Sequence, residues 1–117
     1  MKRKAYICGL DAALGVIGGK WKCLILWRLV QGPSRFGELH RFVEGITEKM
    51  LVEKLKELTL DGIIIRKDFR KVPPHVEYSL TELGHTLADS LRPLSDWGDQ
   101  NIKLIAKLPT QFATRKV

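Results

Sequence analysis

Cys8 is the first residue in the chain with reactive potential. It follows Lys2, Arg3 and Lys4 and precedes Asp11. Nearby cations favour the thiolate, the form that attacks electrophiles and oxidants; the plainer reading is a small packing residue. Cys23 sits within an apolar run and reads as inert core. Gly15 to Trp21 invites comparison with a phosphate-binding loop. The pattern G-x-x-x-x-G-K-[ST] fails, because it needs glycine where Leu14 stands and serine or threonine where Trp21 stands. A helix-breaking turn accounts for those residues better. His40, His75 and His85 have no metal-ligand spacing with one another or with the cysteines. No nucleophile–base pair is visible, so neither catalysis nor a cofactor is expected.

The other chemistry available is recognition of a polyanion, and it lies between Ile46 and Leu80. Thr47 is placed to cap a helix, since its hydroxyl can accept from an orphan amide of the first turn. Ile46 and Leu51 have the spacing of a hydrophobic staple. Leu51, Leu55 and Leu58 recur at i, i+4 and i+7, which points one face into a core. Lys49, Glu53 and Lys56 fall about 160–200° away, on the outer face. Thr47, Glu48, Lys49, Met50, Glu53 and Lys54 are therefore the candidate contacts to base edges and nearby phosphates. Lysine donates to guanine or phosphate and glutamate accepts from cytosine. Taken alone, such a face is also an ordinary solvated helix with i,i+4 pairs such as Lys49 with Glu53.

Asp61-Gly62 stops that helix, because glycine accepts the left-handed conformation. Two strands follow, Ile63 to Phe69 and His75 to Leu80, the second alternating with period two. Between and beside them Arg66, Lys67, Arg70, Lys71 and His75 face a single Asp68. A basic hairpin of this kind lies along a phosphate backbone or enters a minor groove. Its plainer role is an edge hairpin kept soluble by charge.

The remaining elements position this pair. Leu10 to Ile17 has helical spacing and Gly18-Gly19 breaks it. Trp21 to Val30 is apolar nearly all round, which marks a buried central helix ended by Gly32-Pro33. Ser34 can cap a short helix over Arg35 to Phe42, with Phe36, Leu39 and either Phe42 or Val43 inward. Two short helices joined through the glycine turn at Gly45 are a helix-turn-helix, residues 35–61. Thr81 caps a last long helix, and Gly84 weakens its first turn. Pro93 should kink or divide it. Unbroken to Lys107 it would run roughly 40 Å. Its apolar stripe, including Leu91, Leu94, Trp97, Ile102 and Ile105, is too long for one small domain to cover, so packing against a second copy is expected; the plainer reading is that the end folds back on its own core.

The expected fold is mainly α with a small antiparallel β-wing: a winged helix-turn-helix with flanking dimerisation helices. One domain spans 1–117, with a basic arm at 1–9, helices over 10–62, the wing at 63–80, the dimerisation helix at 81–107 and a frayed tail at 108–117. A net charge of +7 and a pI near 9.7 favour polyanionic partners such as double-stranded DNA. No apolar run approaches a membrane span, and the start has no signal-peptide core. Two cysteines 15 residues apart suit a reducing cytoplasm.

The sequence resembles the HxlR-type bacterial transcription regulators, winged-helix relatives of the MarR group. The matching residues are Cys8, Leu14 to Trp21, Leu24 to Leu26, Gly32-Pro33 and Arg35 to Leu39. They continue through Gly45 to Thr47, Lys49 to Leu51, Leu55 to Leu58, Asp61-Gly62, Pro73-Pro74, Val76 to Thr81, Leu83-Gly84 and Trp97-Gly98. The likeness covers residues 8 to 98. Gly9 departs from the family's frequent proline, and His75 from its frequent arginine, which bears on one wing contact. The resemblance implies a homodimer on a palindromic operator, usually repressing nearby genes. In some members it implies an electrophile or redox response through the cysteine at the position of Cys8; the effector is open. A winged-helix protein-interaction module without DNA binding is the competing function.

Overall fold

The computed structural model describes residues 5–109. The cations Lys2, Arg3 and Lys4 and the tail from residue 110 lie outside the described residues. The order of elements is α1 (Gly9–Ile17), α2 (Lys20–Leu29), α3 (Phe36–Phe42), α4 (Glu48–Leu60), β1 (Ile64–Asp68), β2 (Val76–Leu80) and α5 (Glu82–Ile105). The fold is the expected one: helices with a two-stranded antiparallel wing, in which Ile64 pairs with Leu80 and Asp68 with Val76. Among the described residues, no helix is long and apolar enough to cross a membrane. The chain forms two compact units, Met1–Thr86 and Leu87–Val117.

In the first unit α2 is the centre, touching α1, α3, α4 and β2. Ile25, Leu26 and Leu29 are buried on it. Leu39 and Val43 from the α3 side, Leu51, Leu55 and Leu58 from α4, and Ile64 and Leu80 from the wing are buried with them. Burying such a side chain contributes roughly 1.5–3 kcal/mol, which is why this cluster fixes the helix arrangement. Val43, not Phe42, turns inward from the end of α3.

Two local expectations need correction. Ser34 does not cap α3; the helix begins one residue later, with Arg35 at its N-cap. Ser34 is fully buried and pairs in an antiparallel bridge with Tyr78, through N–H···O distances of 2.9 and 2.8 Å. Its backbone is used as a third edge for the wing, so it cannot also start a helix. The cap is closed instead by the Arg35 N–H donating to Glu38 Oε1 at 2.7 Å. The second correction is α1, which starts at Gly9, so Cys8 is its N-cap residue rather than part of a loose arm.

Thr81 caps α5 as its sequence position suggests, accepting from the Gly84 N–H at 3.0 Å. In the second unit α5 continues through Pro93 without division. Leu94, Trp97, Ile102 and Leu104 are exposed there, while Leu91 and Ile105 are half-covered.

Candidate nucleic-acid interface

α4 is held by its own caps and by its neighbours. Thr47 Oγ1 accepts from the Met50 N–H at 3.1 Å, satisfying one orphan donor of the first turn. Ile46 and Leu51 are both buried, as a staple requires. The turn between α3 and α4 passes through Gly45 at φ 91°, a left-handed conformation that favours glycine. His40 Nε2 lies 3.0 Å from the Ile46 carbonyl and closes that turn from the α3 side. In the sequence His40 stands out only as a candidate metal ligand, and this role escapes notice. A histidine near the end of the first helix, facing the turn, is the available signal.

Glu48, Lys49 and Glu53 are exposed on the outer face of α4, and none has an ion pair among the described residues. The alternative of a Lys49–Glu53 pair is therefore not realised. Met50 is half-buried. Lys54 stands apart from the others: it lies on the flank, and its Nζ is 3.6 Å from Glu57 Oε1. The same carboxylate oxygen binds Lys22 Nζ of α2 at 2.8 Å. The Lys22 ammonium holds the Glu57 carboxyl below the usual carboxylate range, with a smaller contribution from Lys54. Lys22 also goes unnoticed in the sequence. A single lysine within an otherwise apolar helix face is its signal.

The wing tip is more ordered than a run of charges suggests. Phe69 packs its ring against His75, centroids 4.4 Å apart. Lys67 Nζ and Lys71 Nζ lie 4.8 and 6.0 Å from the same ring, so the aromatic face holds two ammonium groups in place. Arg70 has φ 54°, and its N–H donates to Asp68 Oδ1 at 2.8 Å. That bond turns the chain and leaves the guanidinium exposed. His75 is tied down instead: its Nε2 lies 2.8 Å from Glu77 Oε2, with the ring N–H donating and the carboxylate accepting.

Arg66 differs from the other wing cations. It pairs with Tyr78 across the sheet, on the face that carries Ile64 and Leu80 toward α4. There it lines a groove of about 390 Å³ with Val52, Lys56, Leu60 and Tyr78. Arg35, at the N-cap of α3, ties the wing loop to that helix, its Nη2 donating to the Pro74 carbonyl at 3.2 Å. The structure thus brings α4 and a cation-bearing loop together on one unit, with Lys49, Lys67, Arg70 and Lys71 exposed and Lys54 and His75 engaged.

Cys8 is exposed and Cys23 is half-buried. Burial pushes the Cys23 thiol up, away from the reactive thiolate.

Comparison with known proteins agrees with this geometry. Residues 16–106 match the HxlR-like helix-turn-helix family. YkvN of Bacillus subtilis (strain 168), an uncharacterized HTH-type transcriptional regulator, is 48% identical over 95 residues, 81% of this chain and 80% of that protein. The redox regulator HypR in its reduced form superposes with a TM-score of 0.80 at 40% identity, covering 86% of this chain and all of that one. Diamide-treated YodB from B. subtilis superposes with a TM-score of 0.67 at 35% identity, covering 82% and 96%. The chain belongs to the HxlR-like helix-turn-helix family of transcriptional regulators.

Proposed function

We propose that this protein is a homodimeric regulator that reads a palindromic operator with α4 and clamps the phosphate backbone with its wing, repressing the genes nearby. The observation that carries the reading is the pairing of an exposed Lys49 on α4 with Lys67 and Lys71 pinned over Phe69 in the following hairpin. One element then offers base-edge donors and the other sequence-independent phosphate contacts. Thr47, Glu48, Met50 and Glu53 complete the reading face. Arg66 and Arg70 add charge at the wing, while Lys54 and His75 are secondary. A dimer formed through Leu91, Leu94, Trp97, Ile102 and Ile105 must hold its two α4 helices about 34 Å apart, one turn of DNA, to read both half-sites. Leu10 and Leu14 of α1 are exposed as well and fit the same role.

The protein would act in the cytoplasm, where a reduced Cys8 is available to oxidants or electrophiles. HypR is a redox regulator in both its reduced and oxidized forms, and YodB has been treated with diamide. Cys8 fits such a response through its exposure at the start of α1. The test of function is footprinting on the DNA upstream of the protein's own gene, with sedimentation at micromolar concentration. The expected result is two protected half-sites and a dimer that Ile102→Glu converts to monomer or insoluble protein, because it buries an unpaired charge. A monomeric wild type, or binding to a protein partner with no salt-dependent duplex binding, would replace this reading with that of a docking module.

A further inference from the structure

We infer that Lys22, in the core helix α2, is a positioning residue for DNA binding: by holding Glu57 it lets Lys54 exchange that carboxylate for a phosphate. This rests on the DNA-binding reading above. Lys22 is 7% exposed, although lysine is almost never buried without a partner. Its ammonium lies against the left-handed turn at Gly18 and binds Glu57 Oε1 at 2.8 Å. Glu57 belongs to α4, the helix assigned to the operator, and its side chain is still 44% exposed. An unneutralised carboxylate there would repel phosphates, and it would also capture Lys54, three residues before it.

The geometry shows which lysine holds the carboxylate. Lys22 sits at full ion-pair distance, while Lys54 is at 3.6 Å from the same oxygen. One carboxylate shared by two ammonium groups leaves a net charge of +1 on that flank. Lys22 is buried in the core helix, whereas Lys54 is half-buried with 22% of its side chain exposed. Lys54 therefore exchanges Glu57 for a phosphate while Glu57 remains paired. Without Lys22, the Lys54–Glu57 pair must be broken before the phosphate contact can form.

The readout is the salt dependence of duplex affinity, whose slope falls by about one unit for each phosphate that the protein ceases to neutralise. Lys54→Ala in the otherwise wild-type dimer should lower the slope by that amount. Lys22→Met should lower it equally, and Lys22→Met with Lys54→Ala should lower it no further. Lys22→Met with Glu57→Gln should restore the wild-type slope, which a merely structural role for Lys22 would not produce. Lys22→Met should fold, since methionine fills the lysine's place with an apolar side chain and the Glu57 side chain, 44% exposed, can turn to solvent instead of remaining a buried unpaired charge. Lys22→Arg, keeping the charge, should bind as wild type.

A folded Lys22→Met protein with the wild-type slope overturns the inference. So does an unchanged slope for Lys54→Ala, which needs no variant at Lys22. A wild type with no salt-dependent binding removes the DNA-binding reading itself, and this inference with it.

Discussion

The backbone of Gly84 lies against the carbonyl of Ile63, in a space that a Cβ could not share. The same carbonyl accepts from the Thr81 N–H at 3.0 Å, and the Thr81 hydroxyl lies within bonding distance of it and of the Gly62 carbonyl. The end of α4, the start of the wing and the cap of α5 therefore meet at one point. In the sequence Gly84 reads as a weak spot in a helix. In the structure it is what lets the first turn of α5 close on the wing. Gly84→Ala, favourable for helix propensity by about 1 kcal/mol in isolation, should here destabilise by roughly 1–3 kcal/mol or more. Urea denaturation measures it, and a stabilised variant would show the contact to be yielding.

The Lys22–Glu57 pair makes stability depend on pH with a defined sign. The folded carboxyl titrates below its ordinary value of about 4.5. Its contribution is thus fully present above that value and disappears as pH falls through the lower folded one. The stability gap between wild type and Glu57→Gln should be largest near neutral pH and shrink in acid. Denaturation midpoints of both proteins from neutral pH down into acid measure this. A gap that widens toward acid would contradict the assigned pairing.

Cys8 and Cys23 should respond differently to thiol reagents. Cys8 is open to solvent, while Cys23 is half-buried with its thiol pushed up. Diamide or a quinone should release the protein from DNA, Cys8→Ser should not respond, and Cys23→Ser should respond as wild type does. Mass spectrometry fixes the extent of modification. Unchanged affinity after complete modification of Cys8 would leave it a structural residue.

Much of the fold was legible in residue order because periodicity and caps are local. The i, i+4, i+7 leucines of α4, the Thr47 and Thr81 caps and the glycine stops read directly from it. The features hidden from residue order join segments distant in sequence. Ser34 reads as a cap until Tyr78 is seen beside it, and Lys22 reads as an interruption of an apolar helix until Glu57 is seen to hold it. Arg35 and Pro74 are 39 residues apart, and no local pattern joins them. Among the candidate contacts, charge alone did not separate cations aimed outward from those engaged by the protein. Lys54 and His75 carry the right chemistry, and each has a carboxylate within the chain.

The central claim is that α4 specifies sequence and the wing supplies phosphate contact. It is tested most directly by titrating one labelled operator duplex and one random duplex across a range of salt concentrations, with wild type, Lys49→Ala and Arg70→Ala. Arg70→Ala should weaken binding to both duplexes alike and lower the salt slope by about one unit. Lys49→Ala should narrow the gap between operator and random DNA by roughly 1–3 kcal/mol while leaving random binding nearly unchanged. Equal weakening on both duplexes for Lys49→Ala, or a wild-type slope for Arg70→Ala, would contradict the division of roles between helix and wing.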